Sequence, residues 1–483
     1  MEFGGFVGPA YESRSRYQDA QRSINLYPEI DPTPGAKATM ALMPTPGMRE
    51  FLDVPTLASV TARPVRLLYT PPSRPALGVV VVGNKLLTMT PSGASYTLSS
   101  PTTLTSNVGP MTAADNGTTI VVSDGTAAWT IDIATAAVAQ ITDPAFFGGR
   151  PTFLDGYLLF NKPGTPQFYA TGLRALTFDA LDFATKEAWS DDIVTPWSEH
   201  RELWLLGEQT SEVWYNTGNT DFPFERNSGA FMQHGCAAPY SVSRLGETFA
   251  FLATDERGAC QVVIANGYNL QKISTTALDY AFSTYEAVND AIAFTYRASG
   301  HEFYQLTFPT ANVTWVYDLT TNMWHQRASL DNLGNLDRHR ANCSMHYQGR
   351  VLIGDYENGK IYEYDDEMYT DGGNAIPRIR RCPHILDDRK AVRHQELQVE
   401  FEPGVGLQSG TGTDPQAMLR WSDDGGSTWS SERWASIGTI GAYKNRARWT
   451  RMGSARDRVY EVRVSDPVKC VIVGATLNVR QGA

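Results

Sequence analysis

Long apolar runs are missing from this 483-residue chain, and the most strongly apolar piece, GVVVVG at 78–83, has the length of a strand. A membrane-spanning helix needs about 18 consecutive apolar residues, so no membrane anchor is expected. The opening MEFGGFVGPAYESRSRYQDAQ lacks a basic segment followed by an apolar one, so no secretory leader is expected. Cysteine is scarce: Cys236, Cys260, Cys343, Cys382 and Cys470 are odd in number, widely spaced and without a C-x-x-C pair. This argues against a disulfide framework and points to reduced thiols in a protein folded in a reducing cytoplasm. No P-loop, G-x-S-x-G or H-E-x-x-H occurs, so the signatures of phosphate cradles, nucleophile elbows and zinc proteases are absent.

Charge is also thin. Only 19% of residues are charged and the net charge is −11, which disfavours a general affinity for nucleic-acid phosphate. The balance is uneven: residues 376–483 hold 17 Lys and Arg against 12 Asp and Glu, about +5, leaving 24 against 40, about −16, for residues 1–375. Such asymmetry suggests parts with different neighbours.

What is present is strand and turn. Helical periodicity is confined to two short stretches, 180–192 and 274–288. Elsewhere, segments such as LGVVVVGNKLLTM (77–89), GTTIVVSDGTAAWTIDI (117–133) and GRVLIGDYENGKIYEYD (349–365) pair an apolar strand, a turn of Gly, Asp or Asn, and a second strand rich in large side chains. They recur roughly every 33–54 residues, the length of one four-stranded propeller blade. With 42% apolar residues there is ample material for a core, and the length suggests more than one domain. The expected fold is all-β: an extended N-terminal arm over 1–60, a β-propeller of six to eight blades over 61–375, and a sandwich-like β domain over 376–483.

One motif stands out. In LRWSDDGGSTWSSERW (419–434), Ser422, Asp424, Gly426, Thr428 and Trp429 spell S-x-D-x-G-x-T-W, an Asp-box. The aspartate can accept bonds from the backbone of its own turn, the glycines relieve strain, and the tryptophan folds back on the neighbouring strand. The motif is shared with sialidases, which makes a glycan-binding or sialidase-like propeller the alternative reading. A sialidase, however, opens with Arg-Ile-Pro ahead of several Asp-boxes, whereas here one complete box sits near the C-terminal end and no Arg-Ile-Pro occurs. His339, Cys343 and His346, with Cys382 and His384, are the nearest approach to a zinc set, but the two halves are far apart. The carboxylate pairs Asp191/Asp192, Asp365/Asp366 and Asp387/Asp388 are adjacent, which points them apart on a strand and suits turns better than acid–base work. The basic stretch with Arg378, Arg380, Arg381, Arg389, Lys390 and Arg393 lacks the interleaved aromatics of a single-strand platform, so it reads as a candidate protein interface.

Taken together, three segments resemble one family. GFVGPAYESRSRYQDAQRSINLYPEID with the later PTPGM, GHEFYQLTFPTANVTWVYDLTTNMWHQRAS (300–329), and the pair GLQSGTGTDPQAMLRWSDDGGSTWS and IGAYKNRARWTRMGSARDRVYEVRVSDPV are similar to the packaged-DNA stabilisation proteins of short-tailed bacteriophages. The resemblance implies a non-enzymatic virion protein with no catalytic residue, metal or cofactor. It implies a homohexameric tail hub or nozzle below an adaptor ring, closed by a needle or plug protein and neighboured by a tailspike or fibre. It also implies that packaged double-stranded DNA is held above the ring and leaves through it, and that the tail is assembled in the host cytoplasm.

Overall fold

The computed structural model describes residues 3–189, 191–388 and 390–481 of the chain. Among these, seven antiparallel four-stranded meanders follow one another around an axis, and their innermost strands begin at Val65, Thr112, Pro151, Ile193, Gly235, Ile292 and Ala341. The fold is a seven-bladed β-propeller joined to a β-sandwich. The two helices are short, Val54–Ala58 and Thr276–Ser283.

Position within a blade dictates composition. A second strand is covered on both faces by neighbouring blades, so Gly78–Val82 (GVVVV) and Glu202–Gly207 (ELWLLG) are almost wholly buried and apolar. Outermost strands meet solvent, so Asn269–Lys272 and Ser95–Leu98 are polar and exposed. Turn chemistry fixes the register. Between Leu154 and Tyr157 the two-residue turn Asp155–Gly156 places both residues at positive φ, 50° and 98°, the twist that matches a right-handed hairpin.

The segment 1–60, read as an extended arm or entry strand, contributes four strands. Gly47–Asp53 is the outermost strand of the seventh blade, paired with Lys360–Asp365 from the other end of the propeller. The N-terminal strand therefore closes the ring, and the seventh blade is completed from both directions. Arg22–Ile24, Leu26–Ile30 and Met40–Pro44 instead join the sandwich. One sheet runs Leu26–Ile30, Met40–Pro44, Ile472–Gln481, Val392–Phe401, Ala447–Thr450; the other runs Arg22–Ile24, Arg378–Arg381, Asp457–Val464, Gln416–Ser422, Arg433–Ser436. Their core includes Phe6, Leu26, Leu42, Leu397, Leu419, Trp449 and Val462.

The N-terminal strand Arg22–Ile24 joins the sandwich to the propeller. Ile24 pairs in parallel with Gln326 on the outermost strand of the sixth blade and antiparallel with Ile379 on the other side. Blade six and one sandwich sheet thus form a single eleven-stranded sheet. The expected helix over 180–192 is a correction: Phe178–Thr185 is the outer strand of the third blade, paired with Gln167–Thr171. Backbone pairing with a preformed hairpin outweighs the weak local helical signal there. The second expected helix exists over Thr276–Ser283, capped by the Thr275 side chain on the Leu278 amide.

Candidate functional site

Arg378–Arg381 lies in the middle of the eleven-stranded sheet, which buries all three of its arginines. This corrects the expectation that Arg378, Arg380 and Arg381 face a partner molecule: Arg380 and Arg381 spend their guanidinium groups inside the chain, and Arg378 is buried with one bond of 3.4 Å to the Asp466 carbonyl. Arg380 is fully buried and donates to the carbonyls of Gly5, Phe6 and Pro9 at 3.0, 2.7 and 3.2 Å, to Ser23 Oγ at 3.0 Å and to Gln21 Oε1 at 2.8 Å. Burial with no carboxylate in hydrogen-bond reach pulls its pKa down to about 10, which still leaves it charged at neutral pH. One side chain thereby fastens the first turns of the chain to the sandwich. Of the remaining candidate contacts, Lys390 and Arg393 are exposed, and Arg389 lies outside the described residues.

Arg381 faces Glu461, and so does Arg420 from the next strand, in one cross-strand row. Arg381 Nε donates to Glu461 Oε2 at 2.9 Å and Arg420 Nε to Oε1 at 2.7 Å. Both guanidinium groups lie over the Trp429 ring, at 4.9 and 4.6 Å from its centre. Trp429 is the last residue of the Asp-box, so the motif is tied into this row.

Within the box, Asp424 Oδ1 accepts from the Ser427 and Thr428 amides at 3.0 and 2.8 Å, and Oδ2 accepts from Thr428 Oγ1 at 2.7 Å. Ser422 Oγ donates to Asp424 Oδ1 at 2.6 Å and accepts from the Gly426 amide at 2.7 Å. Bonds from the Ser422 hydroxyl first, and then from Thr428, hold the Asp424 carboxyl down at about 2. Gly425 and Gly426 take φ of 66° and 95°, which L side chains rarely adopt. Trp429 Nε1 donates to the Gly426 carbonyl at 3.2 Å. The polar side-chain atoms of Ser422, Asp424, Thr428 and Trp429 are thus spent on their own turn.

The zinc lead does not assemble. Among the described residues no group of three or more His, Cys, Asp or Glu side chains is placed to hold a metal ion. His339 is buried, with Nδ1 accepting from the Ala341 amide at 3.2 Å and Nε2 3.7 Å from Asp371. His384 bridges Asp457 Oδ1 at 2.7 Å and the Arg16 carbonyl at 2.6 Å, tying the N-terminal segment to the sandwich. Cys343 packs between blades seven and one, with Sγ 3.6 Å from the Val65 carbonyl, and on the propeller axis a cavity of about 470 Å³ is lined from every blade, by residues such as Leu67, Ala113, Phe153, Trp197, Tyr240 and Phe294. Of the carboxylate pairs, Asp191 is buried against Lys186 and accepts from the Thr210 amide at 3.0 Å, a structural role.

Several organising residues escape a reading of the sequence. Arg458 is buried and clamps Asp423 with two bonds of 2.6 and 2.8 Å, and Arg66 ties the Gly83, Ser106, Val108 and Gly109 carbonyls together. Both sit in strands, and their partners are visible only in the fold.

The match to known families is decisive. The model described as bacteriophage P22 Gp10, beta-propeller, covers residues 8–369, and the model described as bacteriophage P22 Gp10, beta-sandwich, covers residues 378–480. The chain belongs to the P22 Gp10 family. As a Gp10-family member it is a structural protein of a bacteriophage tail. No curated protein sequence matches it. Among solved structures, virginiamycin B lyase from Staphylococcus aureus is 8% identical with a TM-score of 0.43, covering 66% of this chain and 98% of that one. The Pan2 WD40 domain of Neurospora crassa is 7% identical with a TM-score of 0.41, covering 66% and 94%. BamB from Moraxella catarrhalis is 11% identical with a TM-score of 0.37, covering 71% and 99%. None of these likenesses bears on what the Gp10-family chain does.

Proposed function

We propose that six copies of this protein form the hub or nozzle of a short phage tail, a ring that extends the tail channel below the adaptor. The ring holds packaged double-stranded DNA in the head, together with a needle or plug protein beneath it, and passes the genome at ejection. A tailspike or fibre protein is a further neighbour, and assembly takes place in the cytoplasm of the bacterial host. No enzymatic role forms part of this reading. The observation that carries it is the family match, which runs through the propeller and the sandwich in order.

The physical properties of the chain suit the role. The eleven-stranded sheet joins blade six to the sandwich, so each copy is a stiff wedge rather than two beads on a string. The cavity on the propeller axis, about 470 Å³ and crossed by Phe153, Trp197 and Phe294, is far too small for a DNA duplex. The DNA path therefore runs between copies, around the axis of the ring. A wall with a net charge near −16 over residues 1–375 repels phosphate, which lets DNA slide instead of sticking.

The test is genome retention. Particles made without this protein should package DNA and then lose it to nuclease, and adding the purified protein back should restore protection. Particles that keep their DNA without it would contradict the reading.

A further inference from the structure

Two exposed edges of the molecule are built unlike the rest of its surface. The first is the rim of the third blade. Phe178–Thr185 is the last strand of its sheet, so its outer backbone edge has no strand partner among the described residues. Asp179, Leu181, Phe183 and Thr185 form its outward face, and Leu181 is 81% exposed. A hollow of about 200 Å³ opens beside it between Phe147 and Phe183, large enough for one aromatic ring. Phe147, on its wall, is exposed. The outer strand Asn269–Lys272, by contrast, carries mostly polar side chains, which is the usual protection of an open edge. The rim is also acidic. Between 171 and 192 lie five acidic residues and two basic ones; Lys186 and Asp191 are buried against each other, which leaves four acidic residues against Arg174, and Lys162 lies over the Phe147 ring at the hollow, 4.3 Å from its centre. Burial, and then the neighbouring charge of Asp179, raise the Asp182 carboxyl above its usual value, a strain that a nearby cation relieves.

The second edge is the tip of the sandwich. Arg433–Ser436 ends its own sheet and carries Trp434, 63% exposed. The adjoining loop exposes Ile440 and Tyr443, the latter at 73%. That loop is held firmly: a Cβ placed at Gly404 would lie 2.6 Å from the Tyr443 ring, and one at Gly406 would lie 2.8 Å from the Ile440 amide nitrogen. Residues 433–448 contain Arg433, Lys444, Arg446 and Arg448 and no acidic side chain. Arg448 pairs with Glu396 and Arg433 donates to the Thr450 carbonyl at 2.9 Å, whereas Lys444 and Arg446 have no acidic partner among the described residues.

We propose that these two edges meet between neighbouring copies of the chain: the acidic, apolar rim strand Phe178–Thr185 of one copy against the basic, aromatic tip of the next. Each supplies what the other lacks: an aromatic anchor for a hollow, and free cations for crowded carboxylates. Two different patches in contact make a head-to-tail interface, which propagates into a ring or a filament and does not close as a two-fold dimer. The inference rests on the ring reading above and gives that ring its contact.

Reversal and rescue test it, in virions assembled with the full chain. Asp179→Lys with Asp182→Lys, or Lys444→Glu with Arg446→Glu, should each lower the copies per tail about tenfold while the purified chain still melts as wild type. All four changes together should restore the copies to within about threefold, the behaviour of a coupled pair. Independently, Leu181→Cys combined with Tyr443→Cys should give, on mild oxidation of virions, a ladder in multiples of 53.3 kDa that neither single variant gives. If both reversals leave the copy number unchanged and no ladder appears, the proposed contact is wrong while a ring can still stand. If the wild-type tail holds no ring of this protein, the ring reading itself fails. A cysteine pair that cross-links Leu181→Cys or Tyr443→Cys to a different tail protein would assign these edges to that protein and overturn the proposal.

Discussion

Arg381 and Glu461 face each other across paired strands, and Arg381 Nε and Nη2 both donate to the same carboxylate oxygen, at 2.9 and 2.8 Å. The other oxygen takes Arg420 Nε at 2.7 Å, so one carboxylate compensates two guanidinium groups above Trp429. Removing it leaves the buried Arg381 with only the more distant Glu12 carboxylate, 3.7 Å from Nη1. Glu461→Ala should cost about 3–5 kcal/mol of stability, as breaking a buried pair does. Chemical denaturation of the purified chain measures it, and a change below about 0.5 kcal/mol would show that the row is incidental.

The Asp-box should reveal itself through pH. Asp424 is held at about 2, against 3.8 for an ordinary aspartate, because the folded turn donates to its charged form. Its contribution is therefore present above pH 3.8 and is lost as pH falls towards 2. Asp424→Asn should melt lower than wild type at pH 5, and the gap should close in acid. A gap that stays constant from pH 5 to the acid limit would show that the carboxylate charge plays no part.

Arg380 is expected to control the N-terminal segment. Its five hydrogen bonds reach Gly5, Phe6, Pro9, Gln21 and Ser23, and Arg380→Met strands three carbonyls. The loss should be about 1–3 kcal/mol, with proteolysis accelerated first among residues 5–21. Arg393→Met, on an exposed position, should change stability by less than about 0.5 kcal/mol. Equal effects of the two changes would contradict the buried role of Arg380.

Ring closure predicts that the N-terminal residues cannot be dispensed with. A chain lacking residues 1–53 loses the outer strand of blade seven and three sandwich strands. It also exposes the edge of Lys360–Asp365. Such a chain should aggregate and lose its cooperative melt. A soluble monomer with the wild-type β-sheet circular dichroism would overturn this account of closure.

Local chemistry was legible in the sequence, and distant partnership was not. The Asp-box could be read because its acceptors and donors all lie between Ser422 and Trp429. The blades could be read because Gly78–Val82 and its counterparts must be apolar on both faces. Gly47–Asp53 gave no hint of ring closure, since its partner Lys360–Asp365 lies at the far end of the propeller. Arg378–Arg381 reads as surface when seen alone; only Glu461, the Gly5 and Phe6 carbonyls and two flanking strands make its burial tolerable. Phe178–Thr185 was misread as helix because an exposed edge strand carries acidic and apolar residues at spacings that also suit a helix.

The central claim, a ring of this chain around the tail channel, is most directly tested by electron cryo-microscopy of the virion tail, reconstructed without imposed symmetry. The account predicts six copies of the propeller and sandwich around the axis below the adaptor, with DNA held above them and each blade-three rim against the sandwich tip of the next copy. Density on the axis that does not fit this fold, or the protein found only at the tail periphery, would contradict it.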